Sequence, residues 1–248
     1  MDPELREAIL QVRFISYIDD IPLTVSSKSL EKNCRILERV ALWLFRKGAT
    51  QCVKFDQEKI DLIHFHRSRK VEGRLSVLLD GFEVHPQPIV KWLGIYLDSK
   101  LLFHEHVKKK VGEATTVLFQ IERLSNTERG LSFQAVRQLY TACITAIADY
   151  GVPVWWKGQK HLLDRYQKLQ NLALRKILGA FKTSPYKAME VEASLPPPKI
   201  RFRRICQSYM LRTLSFNSNH AVQSRLPTTF TPNPGSFSVD ATKALDWL

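Results

Sequence analysis

Near its start the chain carries an apolar run, Val12-Arg13-Phe14-Ile15-Ser16-Tyr17-Ile18, two adjacent carboxylates, Asp19 and Asp20, and a second apolar run, Ile21-Pro22-Leu23-Thr24-Val25. This pattern predicts strand, turn and strand. Ser26 to Lys28 offers a helix start, and Leu30, Cys34, Leu37, Val40, Ala41 and Leu44 recur at helical spacing up to Gly48, a stop signal. Two strands are expected next, Gln51 to Phe55 and Lys59 to Phe65, separated by the polar turn Asp56-Gln57-Glu58. Leu75 to Leu79 and Phe82 to Val84 flank Asp80-Gly81, a strong hairpin signal, and Val90 to Leu97 reads as a further strand ending at Asp98-Ser99-Lys100.

Beyond Phe103 the period changes. Val107, Val111, Ala114, Leu118, Ile121 and Leu124 form one helical stripe, with Lys108, Lys109, Lys110 and Glu113 largely off it. Val136, Leu139, Cys143 and Ile147 mark a second helix, and Leu162, Tyr166, Leu169, Ala173 and Ile177 a third that stops at Gly179. A short fourth begins near Ser184-Pro185 and ends at Pro196-Pro197-Pro198; a fifth, Lys199 to Leu214, sets Arg201, Arg203, Arg204 and Arg212 beside Phe202, Ile205 and Tyr209. From Ser215 onward the chain is rich in Ser, Asn, Thr and Pro, the composition of a poorly ordered tail. The expected fold class is α+β, with an antiparallel sheet and packed helix over residues 1–100 and a helical bundle over residues 101–214.

Charge adds a partner class. Lys and Arg number 37 against 24 Asp and Glu, a formal net charge of +13, which favours polyanions such as nucleic acid. The most apolar stretch, Ala142 to Trp156, is interrupted by Asp149, so no membrane span is expected. Met1-Asp2-Pro3-Glu4-Leu5 lacks the basic start and apolar core of a signal peptide, and an intracellular, non-secreted protein is expected. Cys34, Cys52, Cys143 and Cys206 are far apart, which points to reduced thiols rather than zinc ligands. His64 and His66 would share one face of the expected strand, without nearby metal-ligand partners in the sequence.

Asp19 and Asp20 are the strongest chemical signal. Adjacent carboxylates at a hairpin tip repel one another when ionised, so they are stable together when exposed or when a cation lies between them. A solvated turn satisfies the same pattern, since Asp favours turns without needing a function there.

In their order along the chain these segments resemble the reverse transcriptases of non-LTR (LINE-like) retrotransposons, of the fungal type, over about residues 12 to 205. Tyr17-Ile18-Asp19-Asp20 is similar to the Tyr-x-Asp-Asp hairpin of the polymerase palm. The helix from Lys28 to Lys47 followed by Lys59-Ile60-Asp61-Leu62-Ile63-His64-Phe65 resembles the next block, which in the family usually reads Lys-Thr-Glu. Lys91-Trp92-Leu93-Gly94-Ile95-Tyr96-Leu97-Asp98 resembles the block whose Leu-Gly turn positions the primer end, and the helices beyond resemble the thumb. Tyr150-Gly151-Val152-Pro153-Val154-Trp155 and Leu169 to Ala180 match stretches that follow the thumb. Ile18 is bulkier than the Ala or Val usual in the family, and Pro22 removes a ladder donor, so either is expected to loosen the hairpin.

The resemblance implies roles. Asp19 would be a metal ligand and Asp20 a second ligand or electrostatic support, holding Mg²⁺ for the in-line attack of a primer hydroxyl on a deoxynucleotide. Tyr17 would touch the primer or the neighbouring strand, Lys59 would stabilise charge or donate a proton near the pyrophosphate, and Trp92, Leu93 and Gly94 would support the primer. Lys108, Lys109 and Lys110, with Lys160, Arg165, Lys168, Arg175 and Lys176, would contact phosphates of the RNA template and DNA primer. Only eleven residues precede Val12, too few for fingers or for the palm strand with the family's other catalytic Asp, and Asp2, Glu4 and Glu7 lack that strand's surroundings. The expectation is therefore the carboxyl-terminal half of a polymerase, truncated and inactive alone. The rival expectations are a basic, non-enzymatic nucleic-acid-binding module, or a fragment with no selected role.

Overall fold

Helix α2 (Leu30–Thr50) carries apolar residues on two sides, and each side gathers its own core. Ser29 caps it by accepting a bond from the Lys32 N–H. Ile36 and Val40 pack with Ala8 of α1 (Pro3–Gln11) and Val12 of β1 (Val12–Phe14); Cys34 and Ala41 pack with Val77, Leu79 and Val84 of the hairpin β3 (Val77–Leu79) and β4 (Phe82–Val84). Glu38 on the same helix accepts a 2.9 Å bond from the Leu78 N–H at the edge of β3, tying helix to hairpin. A computed structural model describes residues 3–66, 75–123 and 130–217, in two compact units, Met1–Leu101 and Leu102–Leu248. The fold is α+β.

The first unit holds three separate antiparallel hairpins: β1 with β2 (Leu23–Val25), β3 with β4, and β5 (Ile89–Trp92) with β6 (Ile95–Asp98). Four expectations fail here. Gln51 to Phe55 is not a strand, because α2 runs on to Thr50 and closes through Cys52 at φ 60°, with the Val53 N–H folded back onto the Gly48 carbonyl at 2.9 Å. Gly48 lies beneath the Phe55 ring, where a Cβ would meet the ring at 2.7 Å, so it serves close packing and not helix termination. Lys59 to Phe65 is not a strand either. Asp56 caps a single 3₁₀ turn, Gln57–Lys59, and the following segment forms one parallel bridge, Leu62 to Pro86, whose missing N–H gives the ladder no next donor. His64 and His66 therefore share no strand face: the His64 ring bonds the Leu75 carbonyl at 2.7 Å. The expected strand from Val90 to Leu97 is instead folded in half at Leu93 and Gly94, both at positive φ (46° and 77°), as a tight two-residue hairpin turn requires. Asp80-Gly81 turns β3 into β4 in the same way, as the sequence predicts.

The second unit is helical: α3 (His104–Glu122), α4 (Phe133–Leu139), α5 (Thr145–Ala148), α6 (Val152–Trp155), α7 (Lys160–Leu178), α8 (Tyr186–Glu192) and α9 (Pro198–Leu214). A π-helical turn, Tyr140–Ile144, joins α4 to α5. It widens the repeat, so the buried residues are Val136, Tyr140, Ile144 and Ala148 in steps of four, while the expected Leu139, Cys143 and Ile147 are half-buried. On α7 all five expected positions are buried, joined by Gln170 and Leu174. On α9 Phe202 is buried with Cys206 and Thr213, whereas Tyr209 is exposed. Val111 on α3 is only half-buried, and Leu124, with residues 218–248 of the expected tail, lies outside the described residues.

Trp155 is the centre of this core, stacked on Tyr166 (centroids 5.5 Å apart) and met edge-on by Phe202. Around it runs a buried polar network. The Arg201 guanidinium grips Asp149 with two nitrogens and donates to the Gln170 amide oxygen at 2.6 Å; Tyr140 donates to the same oxygen at 3.2 Å, and the Gln170 amide nitrogen donates to Glu190 at 2.9 Å. Burial pushes the Asp149 carboxyl up and works against the charge on Arg201, but Asp149 beside it holds the guanidinium above its ordinary value. Burial likewise pushes the Tyr140 hydroxyl up to about 12. Removing one partner leaves a buried charge unmatched. Asp149→Asn is expected to cost about 3 kcal/mol or more, measured as a lower urea midpoint.

His106 is fully buried and bonds the Tyr150 carbonyl at 3.2 Å, the carbonyl that also accepts from the Trp155 indole. Burial holds its pKa below the ordinary imidazole value, so the folded protein keeps this ring neutral. Its stabilising contribution is complete above about pH 6.5, the unfolded value, and is lost as pH falls through that value toward the depressed one. The urea midpoint is expected to drop between about pH 7.5 and 5.5, and to drop less in His106→Gln.

Candidate functional site

The ribbon β1–β2 extends beyond its regular strands in one unbroken register: Phe14 opposite Leu23, Ile15 N–H to Pro22 carbonyl at 3.4 Å, and Tyr17 opposite Asp20 with two 3.0 Å bonds. That leaves Ile18 and Asp19 as a two-residue turn. Tyr17 and Asp20 face each other across the ribbon, and Asp19 stands at the tip. Asp19 and Asp20 are both exposed, and neither has an ion-pair partner among the described residues. Pro22 leaves its mark: the regular strands are three residues each, and between them and the Tyr17–Asp20 bridge Pro22 accepts from Ile15 but has no N–H to return the bond.

Ile18 occupies the turn at φ 55° with its side chain 83% exposed, so a β-branched residue sits in left-handed backbone and gains nothing from burial. Such a conformation costs about 1–3 kcal/mol.

The remaining expected residues fall on other elements. Lys59 ends the 3₁₀ turn, exposed and paired with Asp56 at 2.9 Å. The hydrogen bond that Lys59 donates to Asp56 raises the Lys59 pKa and lowers that of Asp56, so Lys59 holds its proton more firmly and suits charge stabilisation better than proton donation. Trp92 leads into the Leu93-Gly94 turn, its indole nitrogen buried with no hydrogen-bond partner among the described residues. Lys108 and Lys109 are exposed on α3. Lys110 is not: its side chain is 14% exposed, bonded to Glu113 at 2.9 Å and lying 5.3 Å from the Tyr150 ring centre. On α7 Lys160, Arg165 and Lys168 face solvent; Lys176 pairs with Glu122, and Arg175 reaches the Asn171 and Lys182 carbonyls. The structure thus gathers Tyr17, Asp19 and Asp20 on one turn and sets Lys59 and Trp92–Gly94 elsewhere in the first unit.

As a cation site the turn offers hard, exposed carboxylate oxygens, the donor type Mg²⁺ prefers. It offers little else. Among the described residues no group of three or more His, Cys, Asp or Glu is placed to hold a metal ion, so the pair supplies part of a donor set and no catalytic step follows from it alone.

The chain aligns with the probable RNA-directed DNA polymerase from transposon BS of Drosophila melanogaster, 28% identical over 162 residues, covering 65% of this chain and 18% of that protein. It aligns with the RNA-directed DNA polymerase from mobile element jockey of the same species, 28% identical over 207 residues (81% of this chain, 22% of the relative). A third match is the retrovirus-related Pol polyprotein from type-1 retrotransposable element R1 4 of Nasonia vitripennis, 23% identical over 138 residues (56% of this chain, 35% of the relative). Its homologues are retrotransposon reverse transcriptases. The chain spans about a fifth of the length of the first two. No family model matches it, and no solved structure does.

Arg201, Gln170 and Glu190, to which the sequence assigned no buried role, build the network that joins the Tyr150–Trp155 and Leu169–Ala180 stretches. Asp149 was the available signal: a lone carboxylate in an apolar run needs a buried cation. For the turn, Ile18→Gly is expected to stabilise the protein by about 1 kcal/mol, the relieved strain exceeding the entropy lost by glycine, read as a higher urea midpoint.

Proposed function

We propose that this chain is a palm-and-thumb portion of a non-LTR retrotransposon reverse transcriptase, an intracellular protein that binds an RNA template and DNA primer and does not polymerise alone. The observation that carries the reading is the Asp19-Asp20 pair, exposed and unpaired at the tip of a ribbon whose register is continuous from Val12 to Val25. In this reading the Met1–Leu101 unit is palm-like and the helices of the second unit are thumb-like. The relatives named above come from insects, so the proposal covers non-LTR elements in general and not a fungal branch.

Asp19 is the principal ligand for Mg²⁺ and Asp20 the second or an electrostatic support; the ion would supply stabilisation of charge on the attacking and leaving oxygens. Tyr17 braces the returning arm through its paired backbone with Asp20 and presents its ring, 57% exposed, beside the carboxylates. Lys59 contributes fixed positive charge for a deoxynucleotide's phosphates, Trp92-Leu93-Gly94 a rigid turn for the primer, and Lys108 and Lys109 exposed charge for the duplex backbone. Lys110, packed on Tyr150, has a structural part in holding α3.

The purified chain is expected to bind a primer-template hybrid with strong salt dependence and to add no deoxynucleotides in Mg²⁺. Extension that disappears in Asp19→Ala would overturn the inactivity, and absence of any hybrid binding would overturn the reading itself.

A further inference from the structure

Helix α9 carries five cations and no carboxylate (PKIRFRRICQSYMLRTL). Arg201 turns inward to Asp149, but Lys199, Arg203, Arg204 and Arg212 are all exposed, and among the described residues none of these four forms an ion pair. Lys199, Arg203 and Arg204 share the solvent-facing arc of the first turns, with Lys199 and Arg203 four residues apart and exposed Ile200 between them and Arg204 around the helix, while Arg212 lies two turns beyond Arg204 and further round. Two buried carboxylates of the unit are engaged inside it: Asp149 is bound to Arg201, and Glu190 accepts from Gln167 and Gln170. Like charges one turn apart destabilise a helix. Exposed cations without ion-pair partners among the described residues, on a helix that carries no carboxylate of its own, suit an external polyanion.

We infer that the solvent flank of α9 is a nucleic-acid contact surface of its own, binding backbone phosphates independently of sequence and independently of the Asp19-Asp20 turn. The arginine fork suits phosphate, and the exposed Ile200 and Leu211 can pack on sugars between the charges. A membrane surface is the poorer match, because the helix's continuous apolar side, Phe202 and Cys206, is already buried in the bundle and cannot enter lipid.

The test uses the full chain and a fluorescent RNA–DNA hybrid of about 20 base pairs, titrated from about 50 to 200 mM salt. Replacing Lys199, Arg203 and Arg204 together by Gln is expected to weaken binding at least about tenfold and to make the logarithmic salt slope shallower by about two to three. Arg203→Lys with Arg204→Lys keeps the charge and is expected to keep affinity within about threefold. An unchanged affinity and slope in the Gln variant would overturn the proposal. So would equal losses in the Gln and Lys variants, which would mark a packing defect and not lost charge. Phosphatidylserine vesicles are the third arm: a loss confined to vesicle binding, with hybrid binding intact, overturns it as well. No hybrid binding by the unsubstituted chain would overturn both this surface and the proposed function, whereas unchanged binding in the Gln variant overturns the α9 surface alone, so the two failures are read separately.

Discussion

The helical unit depends on matching one buried carboxylate. Asp149 interrupts the most apolar stretch of the chain, and an unpaired carboxylate there would cost several kcal/mol. Arg201 answers it from α9, far away in sequence, and in doing so fixes where α9 can lie against α6 and α7. Gln170 extends the match to Tyr140, on the π-helical turn, and to Glu190 on α8. One electrostatic requirement therefore sets the relative placement of five helical segments around Trp155 and Phe202.

The same bookkeeping of charge shapes the surfaces. Asp149 and Glu190 are engaged inside the helical unit, while Lys199, Arg203, Arg204 and Arg212 of α9 stand exposed to a polyanion. In the first unit the opposite arrangement holds: Asp19 and Asp20 project outward, and among the described residues no cation pairs with them. Exposed acids on a strained turn at one place and exposed bases at another are the two parts that phosphate chemistry in Mg²⁺ calls for.

Elements governed by local rules were legible in the sequence. Asp80-Gly81 specifies its hairpin, the Leu30-to-Leu44 stripe specifies α2 although its cap is Ser29 and not the expected Ser26 to Lys28, and the five apolar positions of α7 are all buried. Elements decided by non-local contacts were not. The Gln51-to-Phe55 strand gives way because Phe55 folds back over Gly48, and the segment after Lys59 meets Pro86, which ends pairing. The π-helical turn shifts a stripe by one residue, which no 3.6-residue period anticipates. For the site, the turn and its two carboxylates were readable, because adjacent acids between apolar runs state their geometry. The burial of Lys110 was not, since it depends on Tyr150 from another segment.

The central claim is that the tip of the first ribbon receives a divalent ion. Paramagnetic relaxation by Mn²⁺, read residue by residue in the amide spectrum of the full chain with a bound primer-template hybrid, tests it directly. The account predicts broadening centred on Tyr17 to Asp20, abolished together in Asp19→Ala. Broadening centred on other carboxylates, with the turn unaffected, would contradict it.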